Sequence, residues 1–323
     1  MLDVSSENLL RSIFHTLAYS DVFDYPLTAD EVYCYLTSMS ASLKEVTQTL
    51  ADESLFTRVG EYFTLRGREG IVEVRQRRAE TAKRLWPKAA RYGRMIARLP
   101  FVRMVAVTGS LAMNNTEAGK DIDYMIVTTP GRLWLCRLLS LLVARFAKLE
   151  SVSLCPNYLV TTNALELEER SLYVAHELVQ MIPLAGMETY HDICRRNAWT
   201  ADYLPNVSLP PRMPQGVKPL QKRSRLQSLL EMFLSLPFGD RLEKWEMNRK
   251  VTRLMREQSA SFESYFSAEV CKGHIDRHGE KTEDVLMERM KQFPHSTPLP
   301  NGAGTQWWRR LPLPVGEGRG EGT

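Results

Sequence analysis

Residues 105–129 read VAVTGSLAMNNTEAGKDIDYMIVTT. An apolar run, Val105 to Val107, breaks at Gly109-Ser110, crosses a polar segment and resumes as a second apolar run that holds Asp121 and Asp123. Short apolar runs bounded by turn residues predict strands, here Arg103 to Thr108 and Ile122 to Thr128, with a turn or short helix over 110–117. Acids inside such a run need a reason, because an ionised group taken out of water is costly unless paired. Side chains at i and i+2 on a strand share a face, so Asp121 and Asp123 set two like charges side by side. They repel unless a hard cation lies between or beside them. Gly-Ser at a strand end lets the backbone turn sharply and approach a phosphate, with N–H groups and the Ser110 hydroxyl as donors. A triphosphate on Gly109-Ser110, joined through Mg²⁺ to both aspartates, satisfies every group.

Downstream, Pro130-Gly131 leads into an apolar helix, LWLCRLLSLLVARFAK, and SLCPNYLVTT reads as a third strand. Helices are expected at 165–182 and 188–203. Strand–helix–strand in so short a span predicts a compact α/β unit with a small mixed sheet over residues 99–204. Upstream, residues 7–19 show helical spacing, and Thr28–Glu31 and Ser42–Glu45 read as capping boxes opening two more helices. LFTRVGEYFTL alternates about Gly60-Glu61 as a hairpin does. Three short helices and a hairpin resemble a winged helix-turn-helix domain over residues 1–66. A basic connecting helix over 67–98 follows, with a kink expected at Pro87. The segment 205–219 holds five prolines and reads as a linker. Residues 220–294 read as a helical region, and 295–323, of low complexity, as a disordered tail. The fold class expected is therefore α+β.

The stretch 105–129 resembles the signature of the DNA polymerase beta-like nucleotidyltransferase superfamily: an apolar strand, Gly-Ser, about a dozen residues, then Asp-apolar-Asp-apolar on the next strand. With its winged helix, the chain is similar to nucleotidyltransferase-domain proteins of bacteria and archaea. The motif covers about 25 residues and the domain about a third of the chain. The resemblance implies Mg²⁺- or Mn²⁺-dependent transfer of a nucleoside monophosphate from an NTP to an acceptor hydroxyl, with pyrophosphate released. It makes Asp121 and Asp123 the catalytic metal ligands and Gly109 and Ser110 the triphosphate contacts. The acceptor stays open among a small molecule, a tRNA end and a protein side chain.

Three departures from the family pattern bear on this. The third carboxylate usual on the strand after the helix is missing from SLCPNYLVTT; Asn157 is nearest its place as a third metal ligand, and Glu166 or Glu168 could substitute. The basic residue common shortly after Gly-Ser-x-Ala is replaced by Met113, Asn114 and Asn115. Lys120 stands where Ser is common and could supply charge to a phosphate. The missing acid keeps a second reading open, a catalytically silent nucleotide sensor. A third is a nucleic-acid-binding regulator acting through the winged helix.

Composition narrows the rest. The chain has 323 residues, 25 % of them charged, and a net charge of +4, too small to argue for nucleic acid alone. Between Arg66 and Arg98 eleven Lys or Arg face three Glu. That stretch is expected to be a solvated helix laced by Glu73–Arg77 and Glu80–Arg84 pairs rather than a phosphate track. The segment SLKEVTQTLAD in the recognition-helix position offers only Lys44 and Gln48 to a base edge, which favours packing or partner docking over DNA reading. Five scattered cysteines without C-x-x-C fit a reducing compartment. The N-terminus MLDVSSENLL lacks a signal-peptide pattern, and no apolar run reaches the roughly 20 residues of a span, so a cytoplasmic protein with no membrane partner is expected. His274 and His278 have zinc-compatible i,i+4 spacing without a visible third ligand. His176 and Glu177 read as half-buried helix residues, His176 with a remote claim to acceptor-side base work.

Overall fold

The computed structural model describes residues 4–51, 55–257, 266–272 and 278–293. The expected tail, 295–323, and the His274–Arg277 segment lie outside them. The fold is α+β, with two sheets.

The first unit comprises α1 (Val4–Asp21), β1 (Leu27–Thr28), α2 (Ala29–Cys34), α3 (Leu43–Leu50), β2 (Phe56–Val59) and β3 (Tyr62–Leu65). Both capping boxes form: the Thr28 and Ser42 side chains accept from the Glu31 and Glu45 amides, and each glutamate accepts from its cap amide in return. The hairpin turns at Gly60, whose φ of +63° glycine adopts without steric cost. Its strands join β1 in the antiparallel order β1-β3-β2.

Helix α4 (Ile71–Ala97) continues through Pro87 and buries Ala82, Trp86, Ala89 and Ile96 in the core. Its arginines reach other elements. Arg75 forms a two-point ion pair with Glu31, both contacts 2.7 Å, and Arg78 pairs with Glu117 at 2.7 Å. The expectation of a solvated helix laced by its own pairs is corrected accordingly: α4 is a packed strut whose cations fix the first unit to the second.

The second sheet is built by β4 (Val102–Val107), the single turn α5 (Gly109–Ala112), β5 (Ile122–Thr128), α6 (Leu133–Leu149), β6 (Leu154–Thr161), α7 (Leu172–Gln180) and β7 (Ile182–Ala185). Helices α8 (Met187–Arg196), α9 (Thr200–Tyr203), α10 (Arg225–Leu234) and α11 (Pro237–Glu257) follow, then β8 (Val270–Lys272) and α12 (His278–Met290). Strand order is β7-β4-β5-β6-β8, with β5 and β6 parallel across α6 and the other neighbours antiparallel. The parallel pair needs the long crossover that α6 supplies.

Strand alternation sorts the sheet into two cores. Met104, Ala106, Met125 and Val127 join the core shared with the first unit, α7 and α8. Val105, Val107, Tyr124 and Ile126 join the core beneath α4 and α6. Asp123, in phase with Met125 and Val127, therefore belongs to the side of α7 and the first unit.

Several expectations change. The helix expected over 165–182 is shorter, and its last residue, Ile182, opens the strand IPLA, whose Pro183 is tolerated because β7 is an edge strand. The helix expected over 188–203 breaks at Asn197, whose side chain bonds Leu165 O, Ile193 O and the Leu167 amide. β8 adds an edge strand from within the region read as helical. The Pro-rich segment is docked: Asn206 donates to Tyr33 O and Ala41 O, and Val217 is buried. Among the described residues, no helix is long and apolar enough to cross a membrane.

Candidate functional site

A cavity of about 540 Å³ lies where the Gly109 end of β4, helix α7 and the first unit meet. The sheet side contributes Gly109, Ser110, Lys120, Asp123 and Asn157 to its lining. The motif residues expected to act together are thus brought together, Asp121 excepted.

Gly109 is needed on two counts. Its φ is +64°, and a Cβ there would stand 3.0 Å from Asp123 Oδ2. The aspartate and the turn are therefore packed against each other, and a side chain at 109 would be strained and would crowd the carboxylate. The turn is steadied by the Asn115 amide, which donates to Ser110 O at 2.8 Å.

Asp123 is half-buried on β5, and its carboxyl is pushed up to about 6, first by burial and then by the charge of Asp121. The thiol of Cys155 opposes the shift by hydrogen bonding to it; Cys155 sits opposite Asp123 in the parallel ladder. Asp121 immediately precedes β5, is exposed, and acts on the cavity through its charge. Lys120, next to it, is exposed at the cavity rim.

Asn157 reaches the cavity by a β-bulge. Tyr124 pairs with Pro156 and Met125 with Tyr158, which leaves Asn157 as the extra residue. Pro156 supplies no amide to the ladder, and bulges commonly re-aim a side chain beside a site.

The fold also supplies two groups to which the sequence reading gave no part in the site. Glu177, on α7, lines the cavity, and its carboxyl is pushed up to about 7 by burial and then by Asp123, with the Gly109 amide pulling the other way as a donor. It brings a further acid to the cavity. Glu166 and Glu168 do not: both are exposed outside the cavity lining, and Glu166 pairs with Arg170 at 3.0 Å. A signal was present in LYVAHELVQ, where Tyr173, Glu177 and Gln180 form one polar row at i, i+4 and i+7 on an otherwise apolar helix. Arg78 of α4 is the second group. It lines the cavity and donates to Phe23 O at 2.9 Å and to Asn115 at 3.3 Å.

His176 is corrected. It is buried rather than half-buried, stacks on Tyr19 with ring centroids 4.2 Å apart, and meets Gln180 through Nδ1 at 2.9 Å. Burial, then the neighbouring His15, lowers its pKa to about 3, too weak a base for an acceptor hydroxyl.

The opposite wall comes from the first unit, through Tyr19, Phe23, Tyr25 and Tyr35. Opposite it, the sheet and α7 offer hard oxygen donors, Asp123, Asn157 and Glu177, with Asp121 exposed outside the lining. Among the described residues no group of three or more His, Cys, Asp or Glu forms a ready cage for a metal ion. Mg²⁺ sites on phosphate substrates typically use one or two carboxylates plus phosphate and water, so this set fits such an ion. No protein-family model, curated protein or solved structure matches the chain.

Proposed function

We propose that the chain is a nucleotidyltransferase that moves a nucleoside monophosphate from an NTP to an acceptor hydroxyl and releases pyrophosphate. The observation that carries this reading is the shared cavity: Gly109-Ser110, Asp123, Asn157 and Glu177 all face one chamber of ligand size. Gly109 and Ser110 contact the triphosphate, with Lys120 and Arg78 contributing positive charge at the rim. Asp121, Asp123 and Asn157 would hold Mg²⁺ or Mn²⁺, which when bound neutralises phosphate charge. Glu177, poised near neutral pH, takes the acceptor's hydroxyl proton onto its carboxylate as the acceptor oxygen attacks the α-phosphorus. Pyrophosphate leaves as the new P–O bond forms. Burial in the cavity keeps competing water away from the reacting phosphorus.

One observation favours a second reading, the nucleotide sensor. The first unit, read as a winged helix, forms a wall of the same cavity, so an NTP would touch it directly. The regulator reading has less behind it, because Arg68 and Arg75 are occupied by Asp21 and Glu31.

Incubating the protein with each labelled NTP, Mg²⁺ or Mn²⁺ and cell extract tests these readings, with Asp121→Asn/Asp123→Asn as control. Label transfer with pyrophosphate release, absent in the double variant, is the expected result. Saturable NTP binding without transfer to any acceptor would overturn the enzyme reading in favour of the sensor. DNA binding that ignores both aspartates would favour the regulator.

A further inference from the structure

Helix α10 packs at the opposite end of β4 from Gly109, and it packs inside out. Leu226, Leu229, Leu230 and Phe233 fall at i, i+3, i+4 and i+7, the spacing of one helix face. That face points to solvent: Leu229 is 58 % exposed and Phe233 59 %, with Met232 beside them at 69 %. The inward face is polar. Gln227 donates to Ala97 O at 3.2 Å and Leu99 O at 2.8 Å, and Glu231 accepts from the Phe101 amide at 2.6 Å and from Arg103 at 2.9 Å.

Helix α11 repeats the arrangement. Glu243 accepts from the Trp134 and Leu135 amides at 2.9 and 2.7 Å, and Glu246 is buried beside Arg249, while Phe238 and Trp245 face outward. Glu231, Glu243 and Glu246 are thus withdrawn from the surface. Lys218, Lys222, Arg225, Arg241 and Lys244 remain on it. Asp240, the exposed acid of this stretch among the described side chains, is paired with Arg132 at 2.6 Å.

We infer that this apolar and basic surface binds an anionic lipid surface, with α10 lying in the interface plane. The leucines and Phe233 enter the acyl boundary and the flanking cations meet lipid phosphates. A second copy fits less well, because a two-fold contact sets this surface against itself and opposes cation to cation. A nucleic acid would neutralise the cations and leave the leucines in water. An anionic bilayer answers both features. A helix that lies on a membrane is also compatible with a chain in which no described helix spans one.

Co-sedimentation of the full chain with phosphatidylcholine vesicles, with and without phosphatidylglycerol, is the test. Binding is expected only where phosphatidylglycerol is present, weakened by salt. Leu229→Glu/Phe233→Glu should cut the apparent affinity by about tenfold or more. Lys222→Glu/Arg225→Glu should cut it by about fivefold or more. Both should keep the thermal midpoint, since all four side chains are exposed; should the apolar variant lose stability, the charge variant alone carries the test. Failure to bind phosphatidylglycerol vesicles, or binding indifferent to both variants, overturns the inference. So does a concentration-dependent dimer in sedimentation that the apolar variant abolishes, which would assign the face to a second copy.

Discussion

The two ends of β4 treat inward-facing carboxylates in opposite ways. At the start of the strand, burial alone would raise Glu231, yet Arg103, Arg223 and the Phe101 amide hold it below the usual carboxylate range. At the far end, burial raises both Asp123 and Glu177, and like charge adds to it: Asp121 raises Asp123, and Asp123 raises Glu177. The same residue chemistry is an anchor in one place and an unresolved repulsion in the other. Stability asks only that a buried charge be answered by the protein; a site can leave the answer to a ligand.

The comparison can be broken most sharply at Asp123. Asp123→Asn should lower kcat by roughly 10³-fold, while the thermal midpoint holds or rises. A stable variant with near-normal turnover would remove Asp123 from the chemistry. Next is Glu231→Ala, which should cost about 3 kcal/mol in urea unfolding, because Arg103 and the Phe101 amide lose their partner. Glu177→Gln should lower kcat by about 10²-fold with stability unchanged or slightly higher. Because a base must be ionised, the wild-type rate should climb as pH rises through about 7, and the variant should lack that limb.

Arg78→Met should raise KM for the NTP by about tenfold with kcat little changed. The smallest effect concerns the protein without ligands. Both cavity acids titrate above their ordinary values of 3.8 and 4.5, so their ionised forms disfavour the folded state. Stability should therefore be greatest near the ordinary values and fall as pH rises through about 6 to 7. The loss should be about 1 kcal/mol once discounted for coupling and solvent, and added Mg²⁺ should reduce it. A flat profile, or one unchanged by Glu177→Gln, would show that the two ends of β4 do not differ in this way.

What was legible in the sequence was local. Capping boxes, the Gly60 turn and the two apolar runs around Gly109 and Asp123 declare themselves within a few residues. Glu177 did not, because packing of α7, not sequence distance, decides which of its rows meets β5. Arg78 lies far upstream of the turn it approaches, on a helix whose charge pattern suggested solvent. Asn157 was placed by strand position, but the bulge that re-aims it, beside Pro156, belongs to the pairing of β5 with β6. Three-residue β8 carries too little periodicity to be read. In α10 the spacing identifies the apolar face and says nothing of its direction.

The cavity's second wall carries a consequence for how such a chain can change. If residues 1–66 were exchanged for another module, the Gly109 turn, Asp123 and Glu177 would persist on the sheet and α7. The chamber would nonetheless lose Tyr19, Phe23, Tyr25 and Tyr35. The two halves are therefore not a catalytic cassette with a detachable accessory. They share one chamber, so a substitution in either half would change the space a ligand meets in the other.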